Sequence, residues 1–487
     1  MKILLSTPPG NTTELWPPLG LLYIASSIRS KRKDDVKVID SFCENLTPDA
    51  LLDRAVKEKP DVFGLNCSTH TFLEAIGMLK RMKAALPSTK LVLGGYHATF
   101  AASRIVNEYP FIDYIVKGEG EESFPQLLNC IEDGASPSNI GGICYLDNGR
   151  LVENPFTLID DLDALPFPAR DLIRNLEYGY FYQNIRLTFG KFTTMCTSRG
   201  CQFKCTYCSC AELSLRKWRP RSAENVVDEL ESIYNDGYEC CVLIDDNFTN
   251  RRKRVEDICR MIRERRIKMQ LYCEGRVDSA NYELLKEMKR AGFNVIYFGT
   301  ESASQHVLDY YQKRITPEES VNAIANAKKL GMLVVTSYII GAPAESKDDI
   351  MNTITMIKKT RPHGVQINIL DCLVGTQIWK DLEQSKIVGR EDWKTNHRIY
   401  EYLKEGLSKE ELEGLAVQGY SAHVQGWKSK GGMLDIARLI IHNKSARKIL
   451  LGNFANPDAR RMVLEELGAE QAKPPVERKS EASVAQD

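Results

Sequence analysis

Cys196-Thr197-Ser198-Arg199-Gly200-Cys201-Gln202-Phe203-Lys204-Cys205-Thr206-Tyr207-Cys208 is the stretch that decides the fold. Cys201, Cys205 and Cys208 fall within eight residues. Thiolates so spaced can each take one iron of a [4Fe–4S] cube and leave the fourth iron open to a substrate's oxygen and nitrogen. Soft thiolates suit iron–sulfur clusters. A tetrahedral zinc site would need a fourth protein ligand, and Cys196 or Cys210 stands close enough to supply one. Zinc knuckles usually come as two separated C-x-x-C pairs, and the sequence has no second pair. Purely structural cysteines fit poorly with a polar loop that contains glycine.

Composition sets the bounds around this loop. A chain of 487 residues has room for two to four domains. Hydrophobic residues at 43% and charged residues at 27% describe an ordinary globular protein. Lys and Arg total 65, as do Asp and Glu, so no basic field points to nucleic acid. No apolar run is long enough to span a bilayer. The start, Met1 to Pro9, is a short strand that breaks at prolines and lacks the features of a signal peptide. Fourteen cysteines without secretory context predict a reducing cytoplasm, with metal or catalytic roles for thiols.

Upstream of the cysteines, short apolar runs alternate with helical patterns. Strands are expected at Lys2–Ser6, Val36–Asp40, Val62–Asn66, Lys90–Leu93 and Tyr114–Val116, with helices at Leu19–Ser30, Pro48–Glu58 and Leu73–Ala85. Alternation of this kind implies parallel βαβ units in a doubly wound sheet. Ligands of such sheets bind beyond the carboxyl ends of the strands. Those ends carry small and polar residues: Thr7-Pro8-Pro9-Gly10, Cys67-Ser68-Thr69, Gly94-Gly95-Tyr96-His97-Ala98-Thr99 and Gly118-Glu119-Gly120-Glu121. Glycine there permits close approach of a large flat ligand, though tight turns favour it too. A hairpin around Asp147-Asn148-Gly149 follows.

Downstream the alternation resumes. Six β/α repeats are expected, with strands at Thr193–Thr194, Cys241–Ile244, Met269–Glu274, Val295–Phe298, Leu333–Ile340 and Val365–Ile369. Polar residues follow the strands: Asp245-Asp246, Glu274 with Arg276, and Glu301-Ser302. In α/β folds of such repeats the C-terminal ends of the strands are where function belongs. Helices are expected at Ile378–Glu383, Ser408–His423, Leu434–His442, Ser445–Gly452 and Asp458–Leu467, as a cap over the barrel mouth. Tyr400, Tyr402, Tyr420 and Trp427 are candidate substrate contacts or packing residues of that cap. Arg251 to Arg254 and Arg263 to Lys268 read as solvated helix ends.

The C-x3-C-x2-C spacing, with Tyr207 before the last cysteine, resembles the radical S-adenosylmethionine (SAM) superfamily. Trp16-Pro17-Pro18-Leu19-Gly20-Leu21, Gly94-Gly95-Tyr96-His97-Ala98-Thr99 and Gly118-Glu119-Gly120-Glu121 resemble strings of the cobalamin-binding domain that precedes many radical SAM cores. The resemblance implies an α/β protein. An N-terminal Rossmann-like doubly wound cobalamin-binding domain (1–140) and a linker with a hairpin (141–190) come first. A radical SAM partial (β/α)6 barrel (191–378), a helical C-terminal domain (379–470) and a disordered tail (471–487) follow. Implied cofactors are one [4Fe–4S] cluster on Cys201, Cys205 and Cys208, SAM, and cobalamin. SAM contacts fall on Tyr207, Asp245, Asp246, Glu274, Arg276, Glu301 and Ser302. Cobalamin contacts fall on Thr7, Pro8, Trp16, Ser68, Thr69, Gly94, Gly95, His97, Gly118, Glu119 and Gly120. The loop after the first strand lacks Asp-x-His-x-x-Gly, so the resemblance implies base-off cobalamin without a protein histidine on cobalt. His70 and His97 are the nearest alternatives.

The activity so implied is methylation of an unactivated carbon. A 5′-deoxyadenosyl radical would take hydrogen from the substrate, and cobalamin would deliver a methyl group drawn from a second SAM. An electron donor such as reduced flavodoxin or ferredoxin is needed; the substrate is a small molecule, lipid or peptide. The same architecture resembles the anaerobic cyclase of the magnesium-porphyrin pathway, which makes oxidative cyclisation the second reading. A non-catalytic sensor is the third. The roles of Cys196, Cys210 and Cys273 stay open.

Overall fold

In a computed structural model the structure describes residues 1–10 and 15–448, apart from 180, 183, 184, 187, 189, 404, 444 and 445. The first strand, β1 (Lys2–Ser6), is followed by α1 (Leu19–Lys31), β2 (Asp35–Ile39) and α2 (Pro48–Glu58). Next come β3 (Val62–Asn66), α3 (Phe72–Ala85), β4 (Lys90–Gly94), α4 (Tyr96–Glu108), β5 (Tyr114–Val116) and α5 (Gly120–Asp133). β1 to β5 are parallel, in the spatial order β2-β1-β3-β4-β5. Successive strand residues face opposite sides. Ile3, Leu5, Val62 and Val92 therefore pack toward α1 and α5, while Leu4, Phe63, Leu65 and Leu91 pack toward α2, α3 and α4. Local chemistry marks the boundaries: Thr47 Oγ1 accepts from Ala50 N–H at 3.2 Å, with Pro48 opening α2.

The hairpin expected as part of a linker belongs to this sheet. β6 (Ile143–Asp147) pairs antiparallel with β5, and β7 (Arg150–Glu153) with β6. The short edge strand β5 presents unpaired backbone groups, and the hairpin covers them. Asn148 and Gly149, with φ of 49° and 81°, make the tight turn. A two-strand ribbon, β8 (Phe181–Tyr182) with β9 (Ile185–Arg186), lies ahead of the barrel.

The barrel opens with β10 (Phe192–Met195). A second ribbon follows, β11 (Ser198–Arg199) with β12 (Arg219–Pro220), and encloses α6 (Cys210–Leu213). Then come α7 (Ala223–Asn235), β13 (Cys240–Leu243), α8 (Arg252–Glu264), β14 (Gln270–Gly275), α9 (Tyr282–Ala291), β15 (Phe293–Glu301) and α10 (Gln305–Tyr310). α11 (Pro317–Lys329), β16 (Leu333–Ile340), α12 (Lys347–Thr360) and β17 (Gly364–Ile369) complete it. The six strands run parallel in sequence order, β10-β13-β14-β15-β16-β17, as successive β/α repeats give.

The C-terminal region departs from a simple cap. α14 (Lys409–Lys428) packs on α12 and β17, and α15 (Lys430–His442) on α14, so both thicken the barrel's outer layer. Ahead of them, α13 (Gln377–Gln384) and the turns at Trp393 and Ile399 join the same core as Phe72, Ala98 and Ile105 of the first domain. The candidate aromatics serve this packing. Tyr402 Oη donates to Asp392 at 2.8 Å, Trp427 Nε1 donates to the Pro362 carbonyl at 2.9 Å, and Tyr420 Oη accepts from Ile367 N–H at 3.1 Å. Tyr400 packs beside Leu412. Of the expected helix over 445–452, residues 446–448 are helical; the rest of it, the helix over 458–467 and the tail lie outside the described residues. Among the described residues no helix is long and apolar enough to cross a membrane.

Candidate active site

The three cysteines sit in the loop that β11 and β12 close at its neck. Gly200 turns the chain into the loop with φ of 85°. A Cβ there would stand 2.2 Å from the Lys217 carbonyl oxygen, so only glycine lets the neck close. Thr206 fastens the far side: its N–H donates to the Tyr311 carbonyl at 3.0 Å, and its carbonyl accepts from Ile378 N–H at 3.1 Å. Cys201, Cys205 and Cys208 are half-buried. Burial pushes the Cys201 thiol up to about 11, and Cys208 and Cys205 beside it add to the shift. Cys210 hydrogen-bonds to Cys208 and holds that thiol below its ordinary range. Among the described residues no three such groups converge on one point, as a single tetrahedral ion requires. In a cube each thiolate takes its own iron.

The acids after β13 hold the start of this loop. Asp245 is buried and accepts from Thr197 N–H at 2.6 Å, Thr197 Oγ1 at 2.5 Å and Ser198 Oγ at 2.5 Å. Burial raises its carboxyl above the usual range despite those donors. Asp246 accepts from Gly200 N–H at 2.9 Å. Cys196 Sγ donates to the Ser198 carbonyl at 3.1 Å. Cys273 lies in the core between barrel sheet and helices, with Met195, Leu271 and Ile296.

Across the loop stands a buried triad. Tyr207 Oη donates to Glu301 Oε1 at 2.9 Å, and Lys313 Nζ donates to the same oxygen at 2.6 Å and to Tyr207 Oη at 3.1 Å. Burial disfavours the Lys313 charge, yet Glu301 outweighs it and raises the ammonium's pKa. Glu301 reaches this position with φ of 60°, a left-handed conformation costing roughly 1–3 kcal/mol in a residue other than glycine. Arg276 lies 3.6 Å over the Phe203 ring, paired with Asp278 at 2.9 Å and donating to the Lys313 carbonyl at 2.8 Å. Glu274 is half-buried at the end of β14. Ser302 is occupied by its own turn, accepting from Ser304 N–H at 3.1 Å. Nothing in the sequence marks Lys313, which lies in the turn after α10, away from any strand end.

The first domain faces the loop with its strand ends. Thr7 Oγ1 donates to Asp40 Oδ1 at 3.1 Å and accepts from Ser41 N–H at 2.8 Å, so it ties β1 to β2. Pro8 is buried and Trp16 half-buried. Ser68 N–H donates to Thr71 Oγ1 at 3.0 Å. Thr69 Oγ1 and His97 Nδ1 share a hydrogen bond at 3.2 Å. The His97 ring packs 4.3 Å from Phe72 and stacks at 5.8 Å on Trp393; burial lowers its pKa to about 4. His70 is exposed. Cβ atoms on Gly95 and Gly118 would strike the Cys67 carbonyl oxygen at 2.4 Å and the Phe156 ring at 2.6 Å, so protein packing alone requires both glycines. Gly94 has only an ordinary 3.5 Å neighbour, and Gly120 packs on Ile24. Glu119 binds Arg219 of the barrel at 2.7 Å.

Tyr96 joins the two faces. It is exposed at its strand end yet crowded by protein, and desolvation raises its phenol to about 12, with Asp246, Cys196 and Cys210 among its neighbours. It stood in the quoted Gly94-Gly95-Tyr96-His97 string, but nothing in the sequence set it apart from His97.

Comparison with known proteins matches these two faces to two families. The radical SAM superfamily matches residues 195–357, and the B12 binding domain matches residues 10–128. The uncharacterized methyltransferase PH0819 of Pyrococcus horikoshii is 32% identical over 429 residues, 86% of this chain and 92% of that protein. The anaerobic magnesium-protoporphyrin IX monomethyl ester cyclase of Rubrivivax gelatinosus is 29% identical over 357 residues, 71% of this chain and 63% of that protein. A solved structure of the radical SAM methyltransferase TsrM from Kitasatospora setae, with cobalamin and a [4Fe-4S] cluster bound, shares the fold. Its TM-score is 0.67 at 18% identity, covering 80% of this chain and 78% of that chain. The two matched domains imply a [4Fe–4S] cluster, SAM and cobalamin as cofactors. By these two matched domains and the 32% identity to the Pyrococcus protein, the chain belongs to the cobalamin-dependent radical SAM enzymes, the family that includes the methyltransferases.

Proposed function

We propose that the chain methylates an unactivated carbon of a small molecule, lipid or peptide. The observation that carries this reading is Tyr96, a first-domain residue whose neighbours are Asp246 and Cys210 of the cysteine loop's surroundings. A first-domain strand end placed beside the cysteine loop suits a reaction that uses both cofactors on one substrate.

The residues present fit these groups. Three thiols in one loop are the soft donor set for a cube with an open iron. At the other face, Asn66 Oδ1 and His97 Nε2 are buried without a hydrogen-bond partner at and just beyond the ends of β3 and β4, where a corrin's peripheral amides could meet them. When bound, the cluster, SAM and cobalamin supply the electron, the radical and the methyl carrier. The chain's own part is orientation. Lys313 and Arg276 offer positive charge to the carboxylate of a bound amino-acid moiety, while Glu274 and Glu301 offer negative charge to its ammonium. Asp245 and Asp246 act on the loop backbone, and so on the direction of the thiolates. Base-off cobalamin without a histidine ligand is part of the proposal. Its support is that His97 is locked between Phe72 and Trp393, and that His70 sits on an exposed turn. The electron would come from reduced flavodoxin or ferredoxin.

Anaerobic reconstitution with SAM and candidate substrates tests the reading. Equal yields of 5′-deoxyadenosine and S-adenosylhomocysteine are expected. 5′-Deoxyadenosine alone would favour cyclisation, the second reading, which the likeness to the Rubrivivax cyclase supports. Neither product would sink both.

A further inference from the structure

The neck of the cysteine loop carries a conflict that the barrel does not resolve by itself. β11 and β12 pair Arg199 directly opposite Arg219. Like charges at a cross-strand position destabilise a ribbon. Both guanidiniums are largely buried, so water cannot screen the repulsion. The compensating charge comes from the other domain. Glu119 takes Arg219 in a bidentate pair, Nη2 to Oε1 at 2.7 Å and Nη1 to Oε2 at 2.8 Å. Arg199 pairs with Glu121 at 2.5 Å and with Glu119 at 3.3 Å. Glu119 Oε2 also accepts from Ile159 N–H at 2.8 Å, and Arg219 Nη1 donates to the Ile159 carbonyl at 2.5 Å, so the connector is caught in the same joint. Burial alone would raise the Glu119 carboxyl, but the two arginines bring it below the ordinary range. The charges balance only when the domains are docked.

A buried ion pair is a poor way to gain stability, because desolvation consumes most of the attraction. A bidentate guanidinium–carboxylate pair instead fixes orientation. We propose that Glu119 and Glu121 are positioning residues that close the neck of the cysteine loop only in the docked arrangement, and so set the spacing between cluster and cobalamin. The string Gly118-Glu119-Gly120-Glu121 is then a joint between domains: its glycines pack on Phe156 and Ile24, and its acids reach across. The spacing claim rests on the proposed assignment of the two cofactors; the closing of the neck does not.

The full-length apoprotein gives the first test, by hydrogen–deuterium exchange of wild type, Glu119→Gln, Glu121→Gln and Asp435→Asn. Asp435 pairs with Lys328 at 2.7 Å, away from the joint, and serves as the control. Residues 199–220 are expected to exchange about tenfold faster in the Glu119 and Glu121 variants, the loss of one charge-assisted contact, and at the wild-type rate in Asp435→Asn. Glu121→Gln leaves the bidentate pair intact and keeps the test open should Glu119→Gln fold poorly. Unchanged exchange in both variants overturns the proposal. In reconstituted protein, electron paramagnetic resonance should show altered spin coupling between cob(II)alamin and the reduced cluster in Glu121→Gln. 5′-Deoxyadenosine should exceed S-adenosylhomocysteine, whereas mere instability would lower both together. Wild-type coupling and product ratio would overturn the spacing claim. Failure of the wild type to take up either cofactor, with the exchange result intact, would sink the cofactor assignment and leave the joint standing.

Discussion

The barrel face and the first-domain face carry equally conspicuous strings, but they use them differently. On the barrel side, thiols, acids and a lysine crowd one loop, and side chains act on one another across it. Tyr207, Glu301 and Lys313 meet within 3.1 Å. On the first-domain side much of the string is spent on protein. Gly95 packs on Cys67, Gly118 on Phe156, Thr7 on Asp40 and Glu119 on Arg219. A string shared with a ligand-binding family is therefore a mixture of ligand contacts and joints, and coordinates separate the two.

The largest expected effect lies on the barrel side. Replacing Cys205 by Ala leaves two thiolates for a cube that needs three. Iron per chain and visible absorbance after anaerobic reconstitution should fall nearly to zero, while the apoprotein's thermal midpoint stays close to wild type. A retained cluster would break the ligand assignment.

Next in size is the buried pair. Lys313→Met leaves Glu301 charged, buried and held in a left-handed backbone, a situation that typically costs about 3–5 kcal/mol. The double variant Lys313→Met with Glu301→Gln should recover much of that loss in urea unfolding, because no lone charge remains. If single and double variants unfold alike, the pair does not decide the stability of this end of the barrel.

The two adjoining glycines sharpen the comparison on the other side. Gly95→Ala puts a Cβ 2.4 Å from a carbonyl oxygen at a φ of 99° and should destabilise the apoprotein by about 2 kcal/mol. Gly94→Ala meets only a 3.5 Å neighbour and should leave the apoprotein's stability within about 0.5 kcal/mol. Cobalamin affinity is the informative readout for Gly94→Ala: a loss there, with stability kept, would mark Gly94 as a contact and Gly95 as a hinge of the fold.

The sequence made the alternation of strands and helices legible because both sheets are parallel and buried, so each strand is a continuous apolar run between glycine- or acid-rich turns. Leu333–Ile340 and Pro48–Glu58 emerge with the expected bounds. The spacing of Cys201, Cys205 and Cys208 marks one ligand loop but by itself leaves zinc open beside an iron–sulfur cluster. The partners of its acids were not legible. Asp245 binds a backbone 48 residues away and Glu119 an arginine 100 residues away, and periodicity carries no information about which distant element arrives there. Lys313 was hidden for the same reason, and so was the merging of the C-terminal turns with the first domain's core. Trp393 and Ile399 are ordinary apolar residues whose destination depends on how the chain returns.

The smallest effect separates the regions by proton. His97 in the first domain and His423 beside the barrel are both held neutral by burial, each with its pKa lowered to about 4. Each is therefore less protonated folded than unfolded, where about 6.5 is ordinary. Their contribution to stability is complete above about pH 6.5 and is lost as pH falls toward 4, with a slope approaching 1.4 kcal/mol per unit for each group. His423→Phe would break a 2.8 Å bond to the Pro362 carbonyl as well as remove the proton, so its result is mixed. His97→Phe also gives up a bond, the 3.2 Å one between Nδ1 and Thr69 Oγ1, but Nε2 has no partner and the ring already lies among Phe72 and Trp393, so the change of slope with pH reports the proton. Urea unfolding of the apoprotein at pH 7, 6 and 5 should show the wild type losing stability faster than His97→Phe by up to that slope, beside a constant difference at all three pH values from the lost Thr69 bond. Parallel pH profiles would mean that the His97 site opens to water on the acid side, and that the first domain's link to the C-terminal turns is looser than its aromatic packing implies.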